Sequence, residues 1–171
     1  MKTEHRYSAC KDQLAFVLSF FSRVDSKLSV ILALDTGMLA VLASDAPPVK
    51  DLTWTMLTCV GLTLTLIGTS VVFLYRGGFP SLKGGKASLV YFREIAGRTE
   101  HQYIEQFKEQ SEDDLVNDLL GQVWRNSEIL TAKFFALKVA FLMLALAMIP
   151  WLVGLALFAT NARPGGLKLF H

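Results

Sequence analysis

Charge is scarce in this chain. Only 19% of its 171 residues are Asp, Glu, Lys or Arg, and the net charge is +2, where a soluble domain carries roughly 25% charged residues. So small an excess makes no global case for nucleic-acid binding. Cysteine is scarcer still: Cys10 and Cys59 stand alone and cannot build a disulfide framework. His5, His101 and His171 are far apart in sequence, which excludes a zinc-type Cys/His cluster. There is no Gly-rich phosphate loop ending in Lys-Ser/Thr, no serine nucleophile elbow and no His-Glu-x-x-His. Gly84-Gly85-Lys86 has neither the spacing nor the hydroxyl of such a loop. Glu112, Asp113 and Asp114 are adjacent carboxylates, but a helix start explains them. The expectation is a protein that is not an enzyme, with no metal and no cofactor.

What is abundant is apolar sequence: 52% of the residues are hydrophobic and the mean hydropathy is +0.39. These residues are concentrated in three windows. Leu28 to Ser44 holds one charge, Asp35, while Leu52 to Tyr75 and Val139 to Thr160 hold none. A bilayer core of about 30 Å takes about 20 helical residues, so three membrane spans are expected. A cleaved signal peptide is the competing reading of the first window. It would need a basic lead of 27 residues and a carboxylate inside its apolar stretch, which signal peptides do not have.

Lys and Arg set the orientation. Residues 1–27 carry five of them and 76–133 carry eight, against one in 45–51 (Lys50) and two in 161–171 (Arg163 and Lys168). The N-terminal stretch and the segment 76–133 are therefore expected in the cytoplasm, with the short loop and the tail outside. That places Cys10 in the cytosol and Cys59 in the bilayer, where they cannot pair. Trp54, Tyr75 and Phe158 lie near span ends, as belt aromatics do.

The fold class expected is an all-α membrane protein: three transmembrane helices, N-in and C-out, with a cytoplasmic helical module and a long helix continuing into the third span. The boundaries are a cytoplasmic N-terminal helix over 1–27, a hairpin over 28–75 with spans 28–44 and 52–75, a sensing module or stalk over 76–133, a third span over 134–160 and a periplasmic tail over 161–171. Gly77, Gly78, Pro80, Gly84 and Gly85 are expected to break the second helix. Ser88 is expected to cap a helix from Leu89 to Ala96 that Gly97 ends. Thr99 with Gln102 has the form of a capping box. Ser111 followed by three acids suits the positive end of a helix dipole, and no Gly-Pro punctuation follows before Pro150. One helix of roughly 70 Å is expected from Glu112 into the third span.

Within the spans, small residues recur at Thr58, Gly61, Thr65, Gly68 and Val72, valine being the largest, and at Ser29, Ala33, Thr36, Ala40 and Ala43. Such stripes let helices approach closely in lipid, so they are expected to form the hairpin contact. Asp35 falls on the opposite side, with Leu28, Ile31, Leu32, Met38, Leu39 and Leu42. A carboxylate facing lipid costs roughly 2.5–3.5 kcal/mol. It is expected to face the third span, another subunit or water, and to mark either a self-association surface, a pore, or a neutral acid hidden in the bundle. On the cytoplasmic side Arg23, Lys27, Arg93, Arg98, Arg125 and Lys133 offer phosphate partners, and Tyr91, Phe92 and Trp124 offer stacking faces. Lipid anchoring explains the basic residues equally well.

The order of motifs resembles the Pycsar effector transmembrane family (PycTM). Val24-Asp25-Ser26-Lys27 resembles the Asp-x-Lys signature that opens the family's first span. Phe79-Pro80 resembles its turn after the second span, and Tyr91-Phe92-Arg93-Glu94-Ile95-Ala96 its Tyr-Phe-x-x-Ile-Ala stretch. Tyr103, then Asp118, Gln122 and Lys133, match the residues that follow. The resemblance covers residues 14 to 160. Leu28 stands where the family usually has a small residue, and Asp35 where it often has Asn. The resemblance implies an antiphage defence effector of the bacterial inner membrane. Its ligand would be cyclic CMP or cyclic UMP from a partner cyclase, and its output membrane impairment with abortive infection or growth arrest. The matched positions Asp25, Lys27, Tyr91, Phe92, Gln122 and Lys133 become the ligand-binding candidates. Arg23 and Asn126 join them as neighbours one helical turn from Lys27 and Gln122. Partners expected are the lipid bilayer, the nucleotide and further copies of the chain, with no nucleic acid. The alternatives are a SLATT-like membrane effector answering another second messenger, and a passive scaffold recruiting a partner protein.

Overall fold

A computed structural model describes residues 3–79, 85 and 87–161, with side-chain surroundings from His5 onward. Five α-helices account for almost all of it: α1 Thr3–Ser44, α2 Trp54–Gly78, α3 Phe92–Ala96, α4 Glu100–Glu109 and α5 Glu112–Asn161. A short 3-10 turn at Val49–Asp51 precedes α2. Of the described residues 88% are helical, with no strand among them. α1, α2 and α5 are each long and apolar enough to cross a membrane, so the chain is an all-α membrane protein with three spans. The first span continues α1 without a break at its polar start. Pro80, Gly84, Lys86 and the tail after Asn161, all named above, lie outside the described residues.

The helix starts follow the local chemistry of the sequence. The Thr99 hydroxyl accepts from Gln102 N, and the Gln102 side chain accepts from Thr99 N, closing the capping box before α4. Ser111 Oγ accepts from Asp114 N at 3.1 Å, with Glu112, Asp113 and Asp114 in the first turn of α5. That helix runs 50 residues with Pro150 inside it, about 75 Å at 1.5 Å per residue.

The chain divides into two compact units, Met1–Ser26 with Phe79–Phe134, and Lys27–Gly78 with Phe135–His171. In the first, Cys10 of α1 packs on Val116 and Leu119 of α5, flanked by Leu14 and Val90. In the second, the apolar stretches of α1, α2 and α5 form a three-helix bundle. One end is closed by Leu42, Met56 and Phe158 with Leu52, Val60, Trp151 and Leu155. Trp151 Nε1 donates to the Met38 carbonyl at 2.9 Å, and Asn161 Nδ2 donates to Asp51 O at 3.3 Å.

Four expectations are corrected. Gly77 and Gly78 do not break α2; they are its last residues. At Gly77 α2 approaches α5 and α1 closely: a Cβ there would lie 2.9 Å from Ala136 Cβ and 3.4 Å from Leu28. The small stripes do not make the hairpin contact. Thr58, Gly61, Thr65, Gly68 and Val72, and Ser29, Ala33, Thr36, Ala40 and Ala43, are exposed within the chain, and nothing lies within 4 Å of a Cβ at Gly61 or Gly68. The threonines need no neighbouring helix, since Thr58 donates to Trp54 O at 2.9 Å and Thr65 to Gly61 O at 2.8 Å, which satisfies their hydroxyls in lipid. The buried face of α2 is instead Met56, Thr63, Ile67, Ser70, Leu74 and Gly77. Phe158 is buried in the bundle and is not a belt aromatic, whereas Trp54 and Tyr75 are exposed. Lastly, α3 starts at Phe92, and Leu89 to Tyr91 form a bend before it.

Candidate functional site

The first unit gathers most of the candidate residues, in two clusters. In one, α1 and α5 are joined by Lys133 Nζ donating to Asp25 Oδ1 at 2.6 Å. The Lys133 side chain is 10% exposed and that of Asp25 50%, so the lysine is sheltered while the carboxylate reaches solvent. Lys133 Nζ also lies 5.9 Å from the Phe21 ring centre, within cation–π range. A half-exposed pair contributes at most about 1 kcal/mol to stability. Its cation is nonetheless desolvated, and so costs little further to hand to an anion.

The other cluster is a folded turn laid on α5. Ser88 Oγ accepts from Val90 N at 3.1 Å and Tyr91 N at 2.9 Å, and Gln122 Nε2 donates to the same oxygen at 3.2 Å. Leu89 N donates to Asp118 Oδ2 at 2.8 Å. A Cβ on Gly85 would lie 3.3 Å from Gln122 Nε2, so backbone approaches the amide there as closely as a side chain allows. Ala87 sits at φ 61°, a left-handed conformation that costs a non-glycine residue about 1 kcal/mol. Both its backbone groups are held: Ala87 N donates to Glu94 Oε2 at 3.0 Å, and Ala87 O accepts from Arg98 at 2.9 Å. The Arg98 guanidinium also donates to Ser88 O at 3.0 Å and Glu94 O at 2.6 Å, and its Nε to Gln106 Oε1 at 2.8 Å. Arg98 therefore assembles the turn and ties it to α4.

The remaining candidates are distributed around these clusters. The Tyr91 and Phe92 rings meet at 4.9 Å; Phe92 is exposed, while the Tyr91 hydroxyl is buried without a partner among the described residues. Asn126 Nδ2 donates to Gln122 O at 2.8 Å, so these two stand together on α5. Arg23 packs over Phe20 of its own helix at 5.3 Å. Lys27 belongs to the second unit and is exposed. Trp124 is exposed with Arg125 stacked on it at 5.2 Å, and Arg125 pairs with Glu128 at 2.8 Å. Sequence reasoning missed Phe21 and the joint role of Ser88, Arg98 and Asp118. A serine two or three residues before free backbone N–H groups is a turn signal as well as a cap signal. Arg98 gave no such signal, because its partners are separated in sequence. Among the described residues no group of His, Cys, Asp and Glu is placed to hold a metal.

In the second unit Asp35 is fully buried, as are Ser70 and Thr63. Ser70 Oγ lies 2.6 Å from Asp35 Oδ2 and 3.3 Å from the Ala140 carbonyl, so α1, α2 and α5 meet at one hydroxyl. Asp35 Oδ1 is buried without a hydrogen-bond partner among the described residues. Of the placements expected for Asp35, the interior of its own bundle is the one adopted. The carboxyl is not on an outer face.

A family model, the Pycsar effector protein domain (PycTM), matches residues 9–160. No curated protein matches, and no solved structure matches. The matched stretch takes in all three spans and both clusters of the first unit, and the chain belongs to the Pycsar effector family.

Proposed function

We propose that this member of the Pycsar effector family is an antiphage effector that binds cyclic CMP or cyclic UMP through its first unit and then impairs the inner membrane. The membrane association and the family are the premises; the ligand, the topology and the output are the proposal. The observation that carries it is the arrangement in the first unit. A sheltered lysine at Asp25, a buried glutamine amide at Ser88 and an aromatic pair at Tyr91 and Phe92 lie in one compact unit. A cyclic nucleotide presents one phosphate anion, a flat base and the hydrogen-bonding edge of that base. The exposed Phe92 face suits the base and the Gln122 amide its edge, while Lys133, about 16 Å along α5 from Gln122, meets the phosphate with its side chain released from Asp25 and extended along the helix toward that cluster.

On this reading the unit faces the cytoplasm, N-in and C-out, in keeping with the excess of Lys and Arg in 1–27 and 76–133. A partner cyclase supplies the nucleotide, and several copies of the chain act together in the bilayer. The chain itself has no catalytic task and needs no cofactor. Ligand binding acts by favouring one arrangement of the spans over another, since only differential affinity moves such an equilibrium. Membrane damage then ends growth of the infected cell.

Calorimetric titration of the full chain in detergent tests the ligand. Cyclic CMP or cyclic UMP is expected to bind, with cyclic AMP at least tenfold weaker. Lys133→Met and Gln122→Ala are each expected to weaken binding about tenfold, in line with the loss of one charge-assisted hydrogen bond. Equal binding of all three nucleotides, or of none, contradicts the proposal.

A further inference from the structure

The contact of Asp35, Ser70 and Ala140 sets a proton count. A serine hydroxyl carries one proton, so Ser70 can only divide it between the Asp35 carboxyl at 2.6 Å and the Ala140 carbonyl at 3.3 Å and cannot make a full hydrogen bond to each. Both contacts become hydrogen bonds when the carboxyl brings its own proton. Asp35 Oδ2–H then donates to Ser70 Oγ, and Ser70 Oγ–H donates to Ala140 O. The second carboxyl oxygen, Oδ1, is buried and has no partner among the described residues. That is tolerable for the carbonyl oxygen of a neutral acid and far more costly for a carboxylate. No other Asp, Glu, Lys, Arg or His lies in Leu28 to Ser44, and none in Trp54 to Tyr75 or Val139 to Thr160. The nearest cation along α5 is Lys138, two residues before Ala140; it is exposed, off the buried face that carries Ala136, Ala140 and Leu144. Thr63, also buried on α2, has its hydroxyl committed to the Cys59 carbonyl at 2.8 Å.

We propose that Asp35, Ser70 and Ala140 form a proton-carrying latch that holds the three spans closed, with Asp35 neutral in the closed bundle and ionised once the spans part and water reaches it. The latch rests on the membrane-impairing reading above and names the element within the spans that changes state. It is bistable for a physical reason. Among the described residues the closed bundle offers a carboxylate one hydroxyl and no buried cation, so an ionised Asp35 opposes reclosure until it regains a proton. The opened, hydrated arrangement is thereby prolonged beyond the event that opened it.

The test uses the full chain reconstituted in phosphatidylethanolamine–phosphatidylglycerol vesicles loaded with a self-quenching dye. Ser70→Ala removes the shared hydroxyl and is expected to raise dye release in the absence of any nucleotide about fivefold over the unsubstituted chain, the worth of one interhelical hydrogen bond in lipid. Ser70→Thr keeps the hydroxyl and is expected to stay tight. Asp35→Asn keeps a donor toward Ser70 and cannot ionise. It is expected to be as tight as the unsubstituted chain without nucleotide, and to release about fivefold less dye under cyclic CMP or cyclic UMP. Ser70→Ala as tight as the unsubstituted chain, or Asp35→Asn releasing as much under nucleotide, overturns the latch. Should the unsubstituted chain ignore both nucleotides, the ligand reading alone fails, and basal release from Ser70→Ala still decides the latch.

Discussion

The two units are held together by different chemistry. In the second, helices meet mainly through apolar side chains, with a close approach at Gly77, and two polar contacts join its helices in the interior: Asp35 and Ala140 at the Ser70 hydroxyl, and Trp151 at the Met38 carbonyl. In the first, much of the architecture is side chain bonded to backbone: Arg98 to three carbonyls, Asp118 to Leu89 N and Ser88 to Val90 N and Tyr91 N. Lipid offers no hydrophobic drive between helices, so a membrane bundle relies on shape. A unit in water has both drives and can leave directional polar groups to be rearranged by a ligand. The contrast predicts that the bundle tolerates changes of volume poorly, and that the first unit responds mainly to changes in donors and acceptors.

The strongest break in the comparison is expected at Gly77. Gly77→Ala places a methyl 2.9 Å from Ala136 Cβ and is expected to lower bundle stability by about 1–3 kcal/mol, as overpacking does. Gly68→Ala, with open space around it, is expected to be neutral. Thermal unfolding of both in detergent, followed by circular dichroism, separates them. A smaller effect is expected from Arg98→Lys. A point-like ammonium cannot reproduce the fork that reaches Ala87, Ser88, Glu94 and Gln106, so local stability is expected to fall by about 1–2 kcal/mol. Hydrogen exchange should quicken over 87–98 and stay unchanged across the spans. The smallest is Thr99→Ala, which removes the capping box of α4 at a cost of about 1 kcal/mol, visible as faster exchange confined to 100–109.

Much of the fold was legible because lipid makes hydropathy decisive. The three spans, the starts at Thr99 and Ser111 and the unbroken run of α5 all follow from single residues with local effects. What failed was direction. The small stripes looked like a contact because Gly and Thr permit one, yet threonine can satisfy its hydroxyl on its own helix, as Thr58 and Thr65 do. Gly77 looked like a breaker, yet it permits close packing in the last turn of α2. The candidate site was legible only in part. Asp25 with Lys133, Gln122 with Asn126 and Tyr91 with Phe92 come together, but Ser88 and Arg98 are joined to their partners by a chain reversal that no periodicity encodes.

The most direct test of the account is hydrogen exchange on the full chain in lipid nanodiscs with cyclic CMP, cyclic UMP and cyclic AMP. The account predicts that cyclic CMP or cyclic UMP slows exchange over 87–98 and around Gln122 and Lys133 and quickens it in the spans near Asp35 and Ser70, while cyclic AMP does neither. Identical exchange with and without the pyrimidine nucleotides, or the same response to cyclic AMP, would contradict it.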